Sequence, residues 1–422
     1  MLKKNKLSSC LTLLFCFFIT NNFAQSEISS PYSGFGAGIL TNTTNVPMAS
    51  MGGLSYALQN NLYINYKNPA SYIAFDSLSF IADAAFFASS NKLIANNQTQ
   101  NGSVVRLSYL MLGLPVTKHW RTSAGIIPFS DIGYKILDNS NTDLTYSYEG
   151  SGGLMQIYWG NAFKLAKNFS LGLNISYLFG TINNSRFIEF SEPNFFNTRI
   201  LSATLIDGIY LSAGLQYFIN MKKNNRLGFG VVYENSAYIW ARENLLVNNY
   251  LGKFNTTSTH DTVLCEPANK GRMVIPQSVG FGISFSHADK ILFGTDISWQ
   301  NWSKFRLMEK SDSLKDAIVA VVGIQYTPNP LSNKYYKRMK FRAGGKFSTG
   351  YMRFQDTPIQ EFSVSLGVGF PLRTFTSQSS INIMFEYGQM GTKRNNLIQQ
   401  NYFKFVFGFI LHEKWYQRVK LE

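Results

Sequence analysis

The side chains that could move protons or attack a substrate are scattered along this chain. Acyl hydrolysis needs a nucleophile within reach of an oriented base, yet His119 and His287 fall in predicted turns on one side, His260 in a loop on the other, and His412 at a strand end. The sequence offers neither zinc-ligand spacing nor a phosphate-cradling glycine loop leading into a helix. No catalytic residue, metal or cofactor is therefore expected. Charge does recur with a period of two: Arg338, Lys340, Arg342 and Lys346 share one face of a predicted strand, opposite Met339, Phe341, Ala343 and Phe347. Asp83, Asp296, Glu361 and Glu386 point to the same interior in the register of their own strands. The basic stripe can receive a substrate carboxylate, or it can pair with these acids inside a lumen. Pro128 is the other residue with a definite physical consequence. It cannot donate a ladder hydrogen bond, so beside Gly125 and Phe129 it should interrupt a strand locally.

What must position these groups is a set of alternating strands. Phe403, Phe405, Phe407, Phe409 and Leu411 form one face of the last, with Tyr402, Lys404, Val406, Gly408 and Ile410 on the other. Phe362 to Phe370, Ile381 to Tyr387 and Leu171 to Phe179 alternate in the same way. A soluble β-sandwich alternates too, but its wet face usually carries Lys and Glu, where this chain places Gly, Ser and Asn. Trp299 with Trp302, and Trp415 with Tyr416, resemble interfacial girdles. The pattern predicts strands at 77–87, 103–114, 121–135, 154–165, 168–182, 203–219 and 226–240. It continues at 277–286, 290–303, 315–327, 338–349, 359–371, 379–388 and 400–411. Fourteen is even, so both ends lie on one side of a closed antiparallel barrel, an all-β transmembrane fold. Long outer loops are expected at 136–153, 183–202 and 241–276, alternating with short turns such as Ala166–Lys167.

Composition agrees with this architecture. Charged residues make up 15% and aromatic residues 15%, which suits a surface partly solvated by lipid, since soluble domains carry roughly 25% charge. A mean hydropathy of −0.08 is too polar for a helical bundle and fits strands with one face in lipid and one in a wet lumen. No segment after the leader has the roughly 20 apolar residues of a membrane helix. The net charge of +15 comes from dispersed Lys and Arg with no recognition motif, so anionic lipid headgroups are favoured over nucleic acid. Lys3, Lys4 and Lys6 followed by the apolar run Leu11 to Ile19 predict a signal peptide over 1–24, cut after Ala24. Export to a Gram-negative-type outer membrane follows. Cys10 and Cys16 leave with the signal, so Cys265 alone remains and no internal disulfide is possible.

Residues 25–76 precede the alternating body, 77–422, and are rich in Ser, Gly, Asn and Pro. They read as a leader or as a plug in the lumen, for which fourteen strands leave space. Gly34-Phe35-Gly36, Met48 through Gly52-Gly53, and Asn68-Pro69-Ala70 resemble, in order, the N-terminal hatch of the long-chain fatty-acid transporter (FadL) family. The resemblance continues in Gly125-Ile126-Ile127-Pro128-Phe129 and in Asp296 through Phe305, similar to that family's aspartate strand. Ser30-Pro31-Tyr32-Ser33 and Glu149 through Gly153 depart from the pattern and mark a divergent branch. The resemblance implies a hatch-plugged barrel that passively takes up hydrophobic small molecules, fatty-acid-like or aromatic. It also implies a lateral opening at Gly125, Pro128 and Phe129, although the residues alone are equally compatible with a simple bulge.

Passive uptake of a hydrophobic ligand, with membrane lipid as solvent, is the function this sequence suggests. The alternative is a non-transporting accessory barrel of an outer-membrane secretion or assembly complex, with protein partners in that membrane. A transporter requires an apolar cavity at the hatch, whereas a subunit requires a partner surface.

Overall fold

In the computed structural model, residues 30–414 are described, apart from 42, 96–97, 140, 193, 253–259, 355 and 374–376. The expected signal segment and the Trp415–Tyr416 pair lie outside the described residues.

Fourteen wall strands follow the alternating segments. They are β1 (Ser79–Ala95), β2 (Gln98–Pro115), β3 (Trp120–Asp138), β4 (Leu144–Ala166), β5 (Phe169–Phe190) and β6 (Asn197–Met221). Next come β7, broken into Asn225–Glu234 and Ala237–Tyr250, and β8, broken into His260–Ile275 and Ser278–His287. The set is completed by β9 (Ile291–Gln300), β10 (Ala317–Tyr326), β11 (Lys340–Ser348), β12 (Glu361–Arg373), β13 (Gln378–Gly391) and β14 (Gln399–Lys414). Each neighbour pairs antiparallel, and β14 returns to β1 from Ser79↔Lys414 to Ile94↔Gln399, so the sheet closes into a barrel.

The alternation sets which face meets lipid. Along β14, Phe403, Phe407 and Phe409 are 47%, 41% and 40% exposed, whereas Val406 and Ile410, on the opposite face, are buried. Outward rows such as Phe281 and Phe285 on β8 with Phe293 and Ile297 on β9 continue the apolar band. Taking the rim of short turns as periplasmic, both ends of the wall, Ser79 and Lys414, lie there.

Strand lengths depart from the sequence expectation. The segments 136–153, 183–202 and 241–276, expected as loops, largely continue the ladders of β3 to β8. Thus β4, β5 and β6 run 23, 22 and 25 residues, against 10 for β9 and β10 and 9 for β11. Beyond the lipid band neither face needs apolar side chains, so the period-two signal fades while main-chain pairing persists. The glycine pair within β4 shows how: Gly152 and Gly153 hold φ of 112° and 144° inside the strand, and a Cβ on Gly152 would lie 2.1 Å from the Thr181 carbonyl oxygen.

Two buried clusters fill the lumen. A hatch core joins Met48, Met51, Leu54, Leu58, Ile64 and Tyr72 to wall residues such as Tyr109 and Tyr158. An outer core joins Tyr32 and Ala37 to Ile182, Ile239, Met273, Trp302 and Phe305 on the long-strand side.

Candidate functional site

The hatch is built from capped turns rather than long helices. Asn45 caps Val46–Ala49 by accepting the Met48 N–H at 3.0 Å. Asn68 caps the 3-10 turn Pro69–Ala74 by accepting the Ala70 N–H at 3.1 Å, with Pro69 at the first helical position where its missing N–H costs nothing. The Asn68 amide donates to the Tyr56 and Leu215 carbonyls at 2.7 and 3.2 Å, so this motif ties two hatch segments to β6. Pro69 and Ala70 are buried against Gly172 of β5, where a Cβ would come within 2.3 Å of the Ala70 nitrogen. Gly52 has φ +73° and packs on the Gly345 main chain, its N–H donating to Ser365 at 2.9 Å; Gly53 has φ +93°. Gly34, Phe35 and Gly36 sit in a different layer. Gly34 backs onto the Tyr134 ring, Phe35 meets Phe354 edge-on at 4.7 Å, and the Gly36 N–H donates to Asp312 at 2.8 Å.

Wall side chains satisfy hatch backbone that would otherwise be buried unpaired. Asp296 Oδ2 accepts from the Ser55 N–H at 2.6 Å, the Tyr56 N–H at 2.9 Å and the Ser55 hydroxyl at 3.3 Å. Gln216 donates to the Tyr56 and Leu58 carbonyls at 2.9 and 3.0 Å, Ser284 to the Ala57 carbonyl at 2.7 Å, and Asn174 to the Tyr66 carbonyl at 2.9 Å. Tyr109 receives the Val46 N–H at 3.0 Å. These wall anchors, apart from Asp296, carry no sequence signature beyond being polar on an inward face.

The eight charged positions expected to share the lumen separate in space. Lys346 pairs with Glu361 at 2.7 Å, and the Tyr402 hydroxyl donates to Glu361 at 2.7 Å and to Glu386 at 3.2 Å, so these three charges form one network. Arg342 is buried but donates to the side-chain amides of Gln325 and Asn382, at 2.8 and 3.0 Å. Asp83 is fully buried beside the hatch, next to the Tyr109 hydroxyl and the Ile64 main chain. Asp296 belongs to the hatch anchor. Lys340 opens β11 at the short-turn rim, and Arg338, expected in the lumen, instead ends the short helix Tyr335–Arg338 before that strand begins. Its guanidinium lies 5.4 Å from the Tyr335 ring. The strand starts two residues later than expected because this helical turn takes up the intervening chain.

Between the two cores lies a chamber of about 300 Å³. Leu40, Tyr351 and Met352 bound it on the outer side, and Val319, Val321 and Val406 toward the hatch. Eight of its side chains are ionisable carboxylates or amines: Lys67, Asp131, Glu234, Asp296, Lys346, Glu361, Glu386 and Lys404.

On one side the chamber reaches a seam in the wall. β2 and β3 pair only from Leu110↔Ile126 to Pro115↔Arg121, although each strand is 18 or 19 residues long. Gly125 lies within the last pairs, and a register shift between Pro128 and Ser130 follows on the β4 side, with Phe129 at the shift. Above it the hatch takes the place of β2. Ile39–Leu40 pairs with Asp131 and Ser130, and Thr41 donates from its N–H to the Phe129 carbonyl at 3.0 Å and from its hydroxyl to the Pro128 carbonyl at 2.6 Å. Arg106 reaches across from β2 to Asp131. Val104, Ser108, Pro128 and Asp131 line both seam and chamber.

A family model described as BamG matches residues 1–422. No curated protein matches the chain. Among solved structures, it is similar to a FadL homologue of Pseudomonas aeruginosa, with a TM-score of 0.62 at 13% identity over 90% of this chain and 100% of that one. The toluene transporter TodX of P. putida gives 0.62 at 13% identity over 89% and 100%, and TbuX of Ralstonia pickettii 0.57 at 13% over 88% and 99%. At this identity the likeness is one of fold: a closed barrel with an N-terminal plug.

Proposed function

The chain belongs to the BamG family, and from that premise we propose that it is an outer-membrane barrel with a fixed hatch, acting as a non-transporting accessory subunit of a secretion or assembly complex. The observation that carries this reading is the fastening of the hatch. Main-chain groups of the hatch accept or donate hydrogen bonds to Asp296, Gln216, Ser284, Asn174, Tyr109 and Ser365 around the wall. Counted at about 1 kcal/mol each, these eight bonds hold the hatch by roughly 8 kcal/mol before any apolar burial is added. The chamber's chemistry points the same way. More of its lining is apolar than polar, but a hydrocarbon that filled it would also cover carboxylates and ammonium groups without replacing their solvation, in a space at the small end of the roughly 300–1,000 Å³ of ligand pockets.

The seam favours a second reading, in which hydrophobic small molecules pass between chamber and bilayer without moving the hatch. Pro128 and the six-pair ladder of β2 and β3 are the observations behind it. Both readings place the barrel in the outer membrane. Extraction in mild detergent followed by mass spectrometry of everything that copurifies separates them. Stoichiometric protein partners and a chamber without reproducible ligand are expected; a partner-free barrel that carries a constant apolar ligand would overturn the first reading in favour of the second.

A further inference from the structure

The two rims of the barrel differ in charge. At the short-turn rim, exposed lysines follow one another around the circumference: Lys118 in the β2–β3 turn, Lys164 and Lys167 about the β4–β5 turn, Lys222 and Lys223 in the β6–β7 turn, and Lys290 in the β8–β9 turn. Among the described residues of these turns, Asp289 is the one acid. At the opposite rim the signs are mixed and partly paired, as in Lys135–Glu149 and Arg242–Asp207, each at 2.6 Å.

The β10–β11 connection, 327–339, is long for this rim and is folded rather than loose. The Asn329 N–H donates to the Lys337 carbonyl at 2.8 Å, and the Lys337 N–H to the Lys334 carbonyl at 3.2 Å. It contains no acid. Leu331 is 89% exposed and Tyr336 57%, next to exposed Lys334 and half-exposed Lys337 and Arg338. The Arg338 Nε is itself buried and without a hydrogen-bond partner, and the guanidinium lies over the Tyr335 ring. The connection runs straight into the lipid-facing residues Tyr326 and Phe341, so it stands at the level where lipid headgroups begin.

We propose that this rim is a collar for anionic phospholipid in the leaflet it faces, with the 327–339 connection as its clamp. Lys334, Lys337 and Arg338 take the headgroup phosphate, while Leu331 and Tyr336 enter the level of the glycerol backbone. Tyrosine beside lysine is the usual interfacial anchor, and basic clusters at a membrane surface select anionic lipid. An acidic protein docks on one side, whereas the basic turns extend over most of the circumference, from the β2–β3 to the β10–β11 connection, and give way to Asp76 and Glu413 only where β14 meets β1. The proposal rests on the membrane-barrel reading and holds under either function above.

The test reconstitutes the full barrel into nanodiscs of phosphatidylcholine with a minority of phosphatidylglycerol, then counts retained lipids by native mass spectrometry. Wild type is expected to enrich phosphatidylglycerol. Lys334→Glu with Lys337→Glu and Arg338→Glu should lower that enrichment about tenfold or more, and the neutral Gln triple by less. Lys393→Glu with Arg394→Glu, on the opposite rim, should leave it unchanged. Equal enrichment in wild type and the Glu triple would overturn the collar, as would loss of a copurifying acidic protein with lipid retention intact. Heat-modified electrophoretic migration is followed in every sample; a wild type without the compact form would overturn the barrel itself.

Discussion

Asp296→Ala removes a carboxylate that holds two successive main-chain N–H groups of the hatch. Its Oδ2 accepts from two backbone N–H groups and one hydroxyl, and bonds to a charged acceptor contribute roughly 1.5–3 kcal/mol each. Not all of that is lost, because Asp296 is itself buried and its Oδ1 has no partner, so the charge carries a desolvation cost that the variant relieves. The net loss should be about 3 kcal/mol, confined to the hatch, since the β8–β9 and β9–β10 ladders that flank Asp296 are main-chain bonds. Hydrogen exchange measures this directly: amides near Ser55 and Tyr56 should exchange about 100-fold faster, with the wall strands unchanged. Asp296→Asn keeps one acceptor and should sit between. Unchanged exchange in the alanine variant would show that the hatch is held by packing alone, and an equal acceleration in the wall would show that hatch and barrel open as one unit.

Gly172→Val should unseat the turn Pro69–Ala74, because its first side-chain carbon already meets the Ala70 nitrogen at 2.3 Å; protease cleavage within the hatch of the folded barrel reports it. Phe407→Arg should impair assembly by about 2–4 kcal/mol, the cost of a cation at the midplane of a barrel's lipid face, while Gly345→Ala, which meets nothing nearer than 3.6 Å, should assemble as wild type; both are scored by heat-modified migration. Pro128→Val should assemble normally, and under the second reading it slows exchange of hydrophobic ligand at matched surface abundance, whereas unaltered exchange would remove the seam from the mechanism.

The barrel was legible because lipid imposes alternation on every strand it touches, and the even count with its short turns followed from that pattern. What failed to show was whatever lipid does not touch. The upper halves of β4 to β8 lost their signal among Gly, Ser and Asn, and read as loops. Within the site, Asp296 and the Asn68 turn stood out through their motifs, and Pro128 through its missing donor. The early end of the β2–β3 ladder could not be seen, since it depends on Ile39–Leu40 arriving from the hatch. Lys67 and Glu234 were missed because each is a single charge among neutral neighbours, and only closure of the lumen brings them to the chamber. Gly408 shows the same limit from the other side: alternation marks it as a small inward residue, but a Cβ there would meet Val46 at 2.5 Å, a closeness of hatch to wall that the pattern alone does not show.

The close fit between hatch and wall has a consequence for the order in which this protein can be made. The hatch touches Gly172 and Gly214 on one side and Gly323 and Gly344 on another, each leaving no room for a single added carbon. A body held so closely all round cannot be threaded into a finished cylinder. It precedes the wall in the chain, and the join between β1 and β14 is between the first and last wall strands, the contact of greatest sequence separation and the slowest to find. The wall therefore has to be wrapped around the hatch, which serves as the mandrel on which the cylinder is rolled, and the final seam zips only when the mandrel is in place.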